Sequence, residues 1–205
     1  MNKIRIPVMA ALFCALFSAH LFSAITVGEP APDFTLTAAD GETHSLSDFK
    51  GKFVVLEWTN HQCPYVKKFY KNGDMQKLQQ RYVERPDNDV VWLSIISSAE
   101  GKSGYLTPAE AMELSSEQNE HATAKLLDTK GEVGRLYGAK TTPHMFVINP
   151  EGVLIYQGAI DSIRSSKPED IAKADNYVVA ALESALKGEA VAVSESRPYG
   201  CGVKY

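Results

Sequence analysis

The chain has 205 residues, of which 44% are hydrophobic and 22% charged, an ordinary globular balance. A net charge of −4, from 21 Lys and Arg against 25 Asp and Glu, argues against a nucleic-acid binder, which shows a basic face or stripe. The length suits one domain with at most a small second one, and the three cysteines are too few for a disulfide scaffold and wrongly arranged for a structural zinc site of paired hooks.

The odd cysteine count resolves at the N-terminus. Residues 1–24 read as a targeting segment: Lys3 and Arg5 form a basic start, Val8 to Phe22 is almost wholly apolar, and Ser23-Ala24 supplies small residues before Glu29. The competing expectation is a retained anchor over residues 8–25, near the lower length limit for a span. Cys14 follows the bulky Phe13 and reads as a hydrophobe of this segment, which also contains His20. Cleavage leaves Cys63 and Cys201 and removes two positive charges. An exported protein, periplasmic or extracellular, with an even pair of cysteines fits an oxidising compartment. A membrane partner is expected only if the segment is retained.

Strands and helices alternate from there. Ala31–Leu36 begins a short strand, and Asp40-Gly41 marks a hairpin turn. Phe53–Trp58 is a nearly continuous apolar run, as in a strand buried on both faces. Cys63-Pro64 opens a helix, because proline suits the first helical turn, with Val66 and Phe69 on its apolar face. Asn72-Gly73-Asp74 interrupts it, and Met75, Leu78 and Tyr82 resume the spacing. Val90–Ile96 is a second buried strand, and Thr107-Pro108-Ala109-Glu110 is a capping box. Leu126-Leu127 is a short apolar stretch, followed by a brief helix with Val133, Leu136 and Tyr137 that ends at Gly138. Met145–Ile148 and Val153–Tyr156 form a hairpin around Asn149–Gly152. A last helix, introduced by Pro168-Glu169-Asp170, carries Ile171, Ala174, Val178, Ala181, Leu182 and Ala185 and stops at Gly188. The fold class is α/β, a mixed central sheet flanked by helices, with residues 25–188 as one domain. Residues 189–205 lack periodicity and read as a tail, either frayed or a mobile arm that delivers Cys201.

Two motifs carry the chemistry. In Glu57-Trp58-Thr59-Asn60-His61-Gln62-Cys63-Pro64-Tyr65-Val66, a cysteine stands where a helix begins, and the N–H groups and dipole of a helix start stabilise a thiolate. In Thr141-Thr142-Pro143-His144-Met145-Phe146, a proline immediately precedes an apolar strand. With Gly28–Phe34 and Gly51–Leu56, these segments resemble the redoxin group of thioredoxin-fold proteins, which includes peroxiredoxin-like (alkyl hydroperoxide reductase/thiol-specific antioxidant) and exported thioredoxin-like members.

The resemblance covers residues 27–187 and implies a thioredoxin-like fold and a thiol oxidoreductase. By position, Cys63 matches the nucleophilic cysteine, and Pro143 the cis-proline that lies against it. Thr142 would present its backbone to a bound thiol or disulfide, and Glu57 matches the buried acid that helps move a proton. The sequence also departs from the pattern. Val66 replaces the second cysteine of C-x-x-C, while Leu56 and Asn60 stand where peroxiredoxins have proline and threonine. A C-P-[FY]-V site and the ending Gly200-Cys201-Gly202-Val203-Lys204-Tyr205 instead resemble a less studied peroxiredoxin-like subgroup.

In this reading Cys63 attacks a peroxide or a disulfide substrate, Cys201 resolves the product, and a thiol donor, protein or small molecule, recycles the pair. No cofactor is implied. The bland alternatives are a buried free thiol at Cys63 and an incidental one at Cys201. A different class of function would gather His61, Cys63 and His144 around copper or another metal. His44 and His121 lie in polar stretches, and Trp58 and Trp92 read as packing residues of core strands.

Overall fold

In the computed structural model, the described residues are 25–87 and 89–205. The targeting segment expected at 1–24, with Lys3, Arg5, Cys14 and His20, lies outside them. No described helix is long and apolar enough to cross a membrane.

A hairpin of β1 (Thr35–Thr37) and β2 (Thr43–Ser45) turns around Asp40-Gly41. It is followed by β3 (Phe53–Trp58), α1 (Pro64–Tyr70), α2 (Asp74–Val83), β4 (Val90–Ile96), α3 (Pro108–Glu117), β5 (Ala124–Leu127) and α4 (Glu132–Leu136). Then come β6 (Thr141–Thr142), β7 (His144–Ile148), β8 (Leu154–Gly158), α5 (Tyr177–Leu186) and β9 (Cys201–Gly202). The central sheet has the order β5-β4-β3-β7-β8, with β3, β4 and β5 parallel and β7 and β8 antiparallel to their neighbours.

The two central strands are buried on both faces, which is why their sequences are almost unbroken apolar runs. Val54, Leu56 and Trp58 point to one layer with Leu93, Phe146 and Ile148. Val55 joins the other layer, with Trp92, Met145, Val147 and the apolar faces of α1, α2 and α5. Cys63 lies in this second layer with Val66 and Phe69.

Local chemistry sets the helix boundaries. Pro64 starts α1, Gly73 in left-handed conformation separates α1 from α2, and the Thr107–Glu110 box caps α3. The last helix begins later than its periodicity suggests. Pro168–Lys173 is a separate 3-10 turn, and the chain is extended at Ala174. Residues 175–177 hydrogen-bond to 160–162 through Ser162 N to Asp175 O and Tyr177 N to Ile160 O. Asn176 then caps α5 by accepting from Val179 N at 3.0 Å.

The tail is docked along its length, not frayed. Ser194 and Ser196 pair with the backbone of Gln157 in β8, and β9 pairs antiparallel with β6. Ala99 N donates to Lys204 O, and the Tyr205 hydroxyl donates to Ala139 O at 2.7 Å. Glycines give the tail its seats. A Cβ on Gly200 (φ +143°) would stand 2.0 Å from Thr142 O, and one on Gly134 would meet the Tyr205 ring and hydroxyl at 2.6 Å. These anchors are single residues reaching different partners, so they leave no period in the sequence.

Candidate active site around Cys63

Cys63 is the N-cap of α1, at the end of the loop that leaves β3. Asn60 shapes that loop: its O accepts from Cys63 N, its Oδ1 accepts from Gln62 N at 2.9 Å, and its Nδ2 donates to Ser103 O at 3.0 Å. The position belonging to threonine in a peroxiredoxin is therefore occupied by a loop brace. Cys63 is 2% exposed, and its thiol donates to Thr142 O at 3.0 Å. The Thr142–Pro143 peptide bond is cis, and both residues are buried.

Cys201 arrives at the same peptide. In the β6–β9 pair it stands opposite Thr142 and packs against the layer that holds Cys63, close enough for its thiol and its backbone N–H to act on the Cys63 sulfur. Burial pushes the Cys63 thiol up, but the influence of the Cys201 side chain, then of the backbones of Cys201 and Val66, outweighs it and leaves the group below its ordinary value. Cys201 moves the other way. Its own burial, then its hydrogen bond to Cys63 and the charge there, push it up to about 11 against the pull of Lys204. The two shifts run in opposite directions, so Cys63 is the more acidic thiol of the pair. Both cysteines are free, Cys63 buried and Cys201 half-buried. The Thr142 hydroxyl oxygen is buried with no well-aligned partner among the described groups.

Glu57 is fully buried beneath α1 and accepts from the Tyr70 hydroxyl at 2.9 Å, Trp92 Nε1 at 2.9 Å and Gln79 Nε2 at 3.4 Å. Trp92, expected only to pack, therefore also holds this acid. Burial and then the charge of Glu120 push Glu57 up to about 7, against Trp92, Tyr70 and Lys125. Lys125 and Glu120 form a buried ion pair at 2.6 Å beside it. Among the described residues, Glu57 makes no hydrogen bond to either cysteine.

The metal reading does not assemble. Side chains alternate along β7: Met145 and Val147 face the Cys63 layer, whereas Phe146 and Ile148 face the other. His144 packs against Phe146 in a tilted arrangement with ring centroids 4.5 Å apart and accepts from Lys140 N at 3.3 Å, on the side of the sheet away from Cys63. Burial, then Lys140, lowers it to about 3. The Nδ1 of His61 is buried without a partner, and among the described residues no group of three or more His, Cys, Asp or Glu could hold a metal ion. Strand alternation keeps His144 from joining Cys63, although their motifs meet at Pro143.

One cluster had no sequence signal. Lys68 of α1 is 1% exposed, and its Nζ contacts Asp161 Oδ2 at 2.6 Å, the Tyr199 hydroxyl at 3.2 Å and Ile163 O at 3.3 Å. Tyr199 also donates to Asp161 Oδ1. This buried ion pair ties the helix that follows Cys63 to the tail two residues before Cys201. Only the placement of Lys68 within the helix turn that buries Val66 and Phe69 could have hinted at it.

A mixed five-stranded sheet, a cysteine at the junction of β3 and α1, and a cis-proline facing that cysteine define a thiol oxidoreductase of thioredoxin fold. Residues 26–177 match the Redoxin family, and the chain belongs to it. Thioredoxin-like protein YneN of Bacillus subtilis (strain 168) is 28% identical over 130 residues, covering 63% of this chain and 69% of that one. Thiol-disulfide oxidoreductase ResA of the same organism is 26% identical over 166 residues, covering 74% of this chain and 81% of that one. An uncharacterized conserved protein from Geobacillus kaustophilus superposes with a TM-score of 0.73 at 24% identity, covering 88% of this chain and 93% of that one, and shares the fold.

Proposed function

We propose that the protein is an exported thiol–disulfide oxidoreductase that uses Cys63 as nucleophile and Cys201 as resolving cysteine. The observation that carries this is the placement of both cysteines at the Thr142 peptide, with Cys63 the more acidic of the two thiols. The thiolate attacks one sulfur of a substrate R–S–S–R′, and R–S⁻ leaves. Cys201 gives up its proton and attacks the Cys63 sulfur of the mixed disulfide, releasing R′–S⁻ and closing a Cys63–Cys201 disulfide. Two electrons pass from the dithiol to the substrate, and an external thiol donor restores the pair. Glu57, with its value near 7 and its place under α1, serves as the buried proton acceptor for this exchange.

Disulfide exchange is favoured over peroxide reduction. Asn60 is committed to the loop, Leu56 is core, and the groups arrayed on the Cys63 sulfur come from Cys201, Thr142 and Val66. ResA, named a thiol-disulfide oxidoreductase, points the same way. Export rests on the leader-like character of residues 1–24 and on a mature cysteine pair suited to an oxidising compartment.

Stopped-flow oxidation of the reduced protein by glutathione disulfide and by hydrogen peroxide tests the reading. The disulfide should oxidise the protein by two electrons and faster than equimolar peroxide, and Cys63→Ser should abolish the reaction. A Cys63→Ser variant that reacts as fast as the parent contradicts it.

A further inference from the structure

We propose that the two half-reactions enter at different sulfurs: a reducing thiolate attacks Cys201 of the oxidised pair, and Cys63 departs as the leaving thiolate. The proposal rests on the Cys63–Cys201 pairing put forward above.

Access comes first. Cys63 is 2% exposed, enclosed by the α1 layer and covered by β9, whereas Cys201 is half-buried at the strand edge. Reaching Cys63 requires β9 to lift from β6; reaching Cys201 does not. The anchors that hold β9 flank Cys201 and are independent of its sulfur. Tyr199 is bound to Asp161 and Lys68 on one side, and Tyr205 is bound to Ala139 O with the Arg135 guanidinium 4.5 Å from its ring centroid on the other. The tail therefore stays docked while the sulfur–sulfur bond opens.

The leaving group points in the same direction. A departing Cys63 sulfur keeps the backbone N–H groups of Cys201 and Val66 as hydrogen-bond donors. A departing Cys201 sulfur has Lys204 as its one favourable influence. The sulfur with the lower thiol pKa leaves faster, so cleavage that expels Cys63 is the easier of the two.

The step balances. The donor's R–S⁻ forms a bond to Cys201 Sγ as the Cys201–Cys63 bond breaks, and the electron pair stays on Cys63. A second donor thiolate attacks the R sulfur, forming the donor disulfide, and the released Cys201 thiolate takes a proton. The donor pair loses two electrons and the protein gains two. Substrate disulfides, which need the Cys63 thiolate, have to displace β9, so the oxidative half-reaction alone requires the tail to open.

The test starts from protein oxidised and mapped by non-reducing peptide analysis. It is mixed with excess glutathione, acid-quenched at successive early times, alkylated and mapped again. The expected result is glutathione on Cys201 and alkylated Cys63, at least tenfold over the reverse pattern at the earliest time. Gly200→Ala, whose Cβ cannot fit 2.0 Å from Thr142 O, should raise the share of adduct on Cys63 several-fold by displacing β9. Adduct mainly on Cys63, or an even split, in the parent overturns the proposal, as does a Gly200→Ala pattern unchanged from the parent. Starting material without the Cys63–Cys201 bond overturns the pairing itself, an outcome read before any thiol is added.

Discussion

Cys201 stands directly opposite Thr142 in the β6–β9 pair, and the Thr142 carbonyl accepts a hydrogen bond from Cys63 at 3.0 Å. One peptide unit therefore registers both sulfurs. Val66 stands where C-x-x-C has its second cysteine, and the cysteine that approaches this peptide lies 138 positions along the chain from Cys63. The geometry needs the tail to approach that peptide closely, and Gly200, with no Cβ, permits it.

Removing the Cys201 thiol should weaken the thiolate at Cys63. Cys201→Ala deletes the side-chain hydrogen bond, the strongest of the influences that lower Cys63, and leaves the backbone one. The pH profile of Cys63 alkylation by iodoacetamide is expected to move to higher pH. A profile that stays in place or moves down would show that Cys201 does not tune its partner.

The Lys68–Asp161–Tyr199 cluster is expected to hold the tail shut. Tyr199→Phe removes a buried hydroxyl bonded to an ion pair, at a cost of about 2 kcal/mol. Cys63 alkylation should then accelerate at a pH where its ionisation is complete. Lys68→Met is the harsher change, because it strands the Asp161 carboxylate, and should cost about 4 kcal/mol. Tyr199→Phe protein that melts lower but alkylates at the parental rate would assign the cluster to stability alone.

Tyr205 and Gly134 should be energetically coupled. A Cβ at Gly134 would stand 2.6 Å from the Tyr205 ring and hydroxyl, so Gly134→Ala should cost about 2 kcal/mol by overpacking. In a Tyr205→Ala background only the contact with Ser97 Oγ at 2.9 Å remains, and the same substitution should cost less. A double-mutant cycle by chemical denaturation measures this, and additive costs would refute the seat.

Glu57 gives the stability of the fold a pH dependence of unusual sign. Its folded value of about 7 lies above the 4.5 of an unperturbed glutamate, so the folded state binds the extra proton. Its stabilising effect is complete below 4.5 and is lost as pH rises towards 7. Between those values the parent should lose stability with rising pH more steeply than Glu57→Gln does. Parallel curves would place the ionisation of Glu57 elsewhere.

Much of the fold was legible in the sequence because its signals are local. The apolar runs of β3 and β4, Pro64 at the start of α1, Gly73 between helices and the Thr107–Glu110 box each act within a few residues. That Cys63 lies beside a proline-led strand 80 positions away is not a local signal, and it was expected only from the resemblance to redoxins. Three features were not legible. The late start of α5 depends on hydrogen bonds between residues 160–162 and 175–177, which override a continuous apolar period. The docking of the tail depends on glycine seats at positions 134 and 200 that say nothing until their partners are known. The turning of His144 away from Cys63 follows from the parity of one strand, which adjacency to Pro143 conceals.

The measurement that bears most directly on the account is non-reducing peptide mapping of the full chain after oxidation by one equivalent of glutathione disulfide. The account predicts a single intramolecular disulfide joining the peptides of Cys63 and Cys201, with two equivalents of glutathione released. Protein in which Cys63 and Cys201 stay free, or in which Cys201 pairs only between molecules, would contradict it.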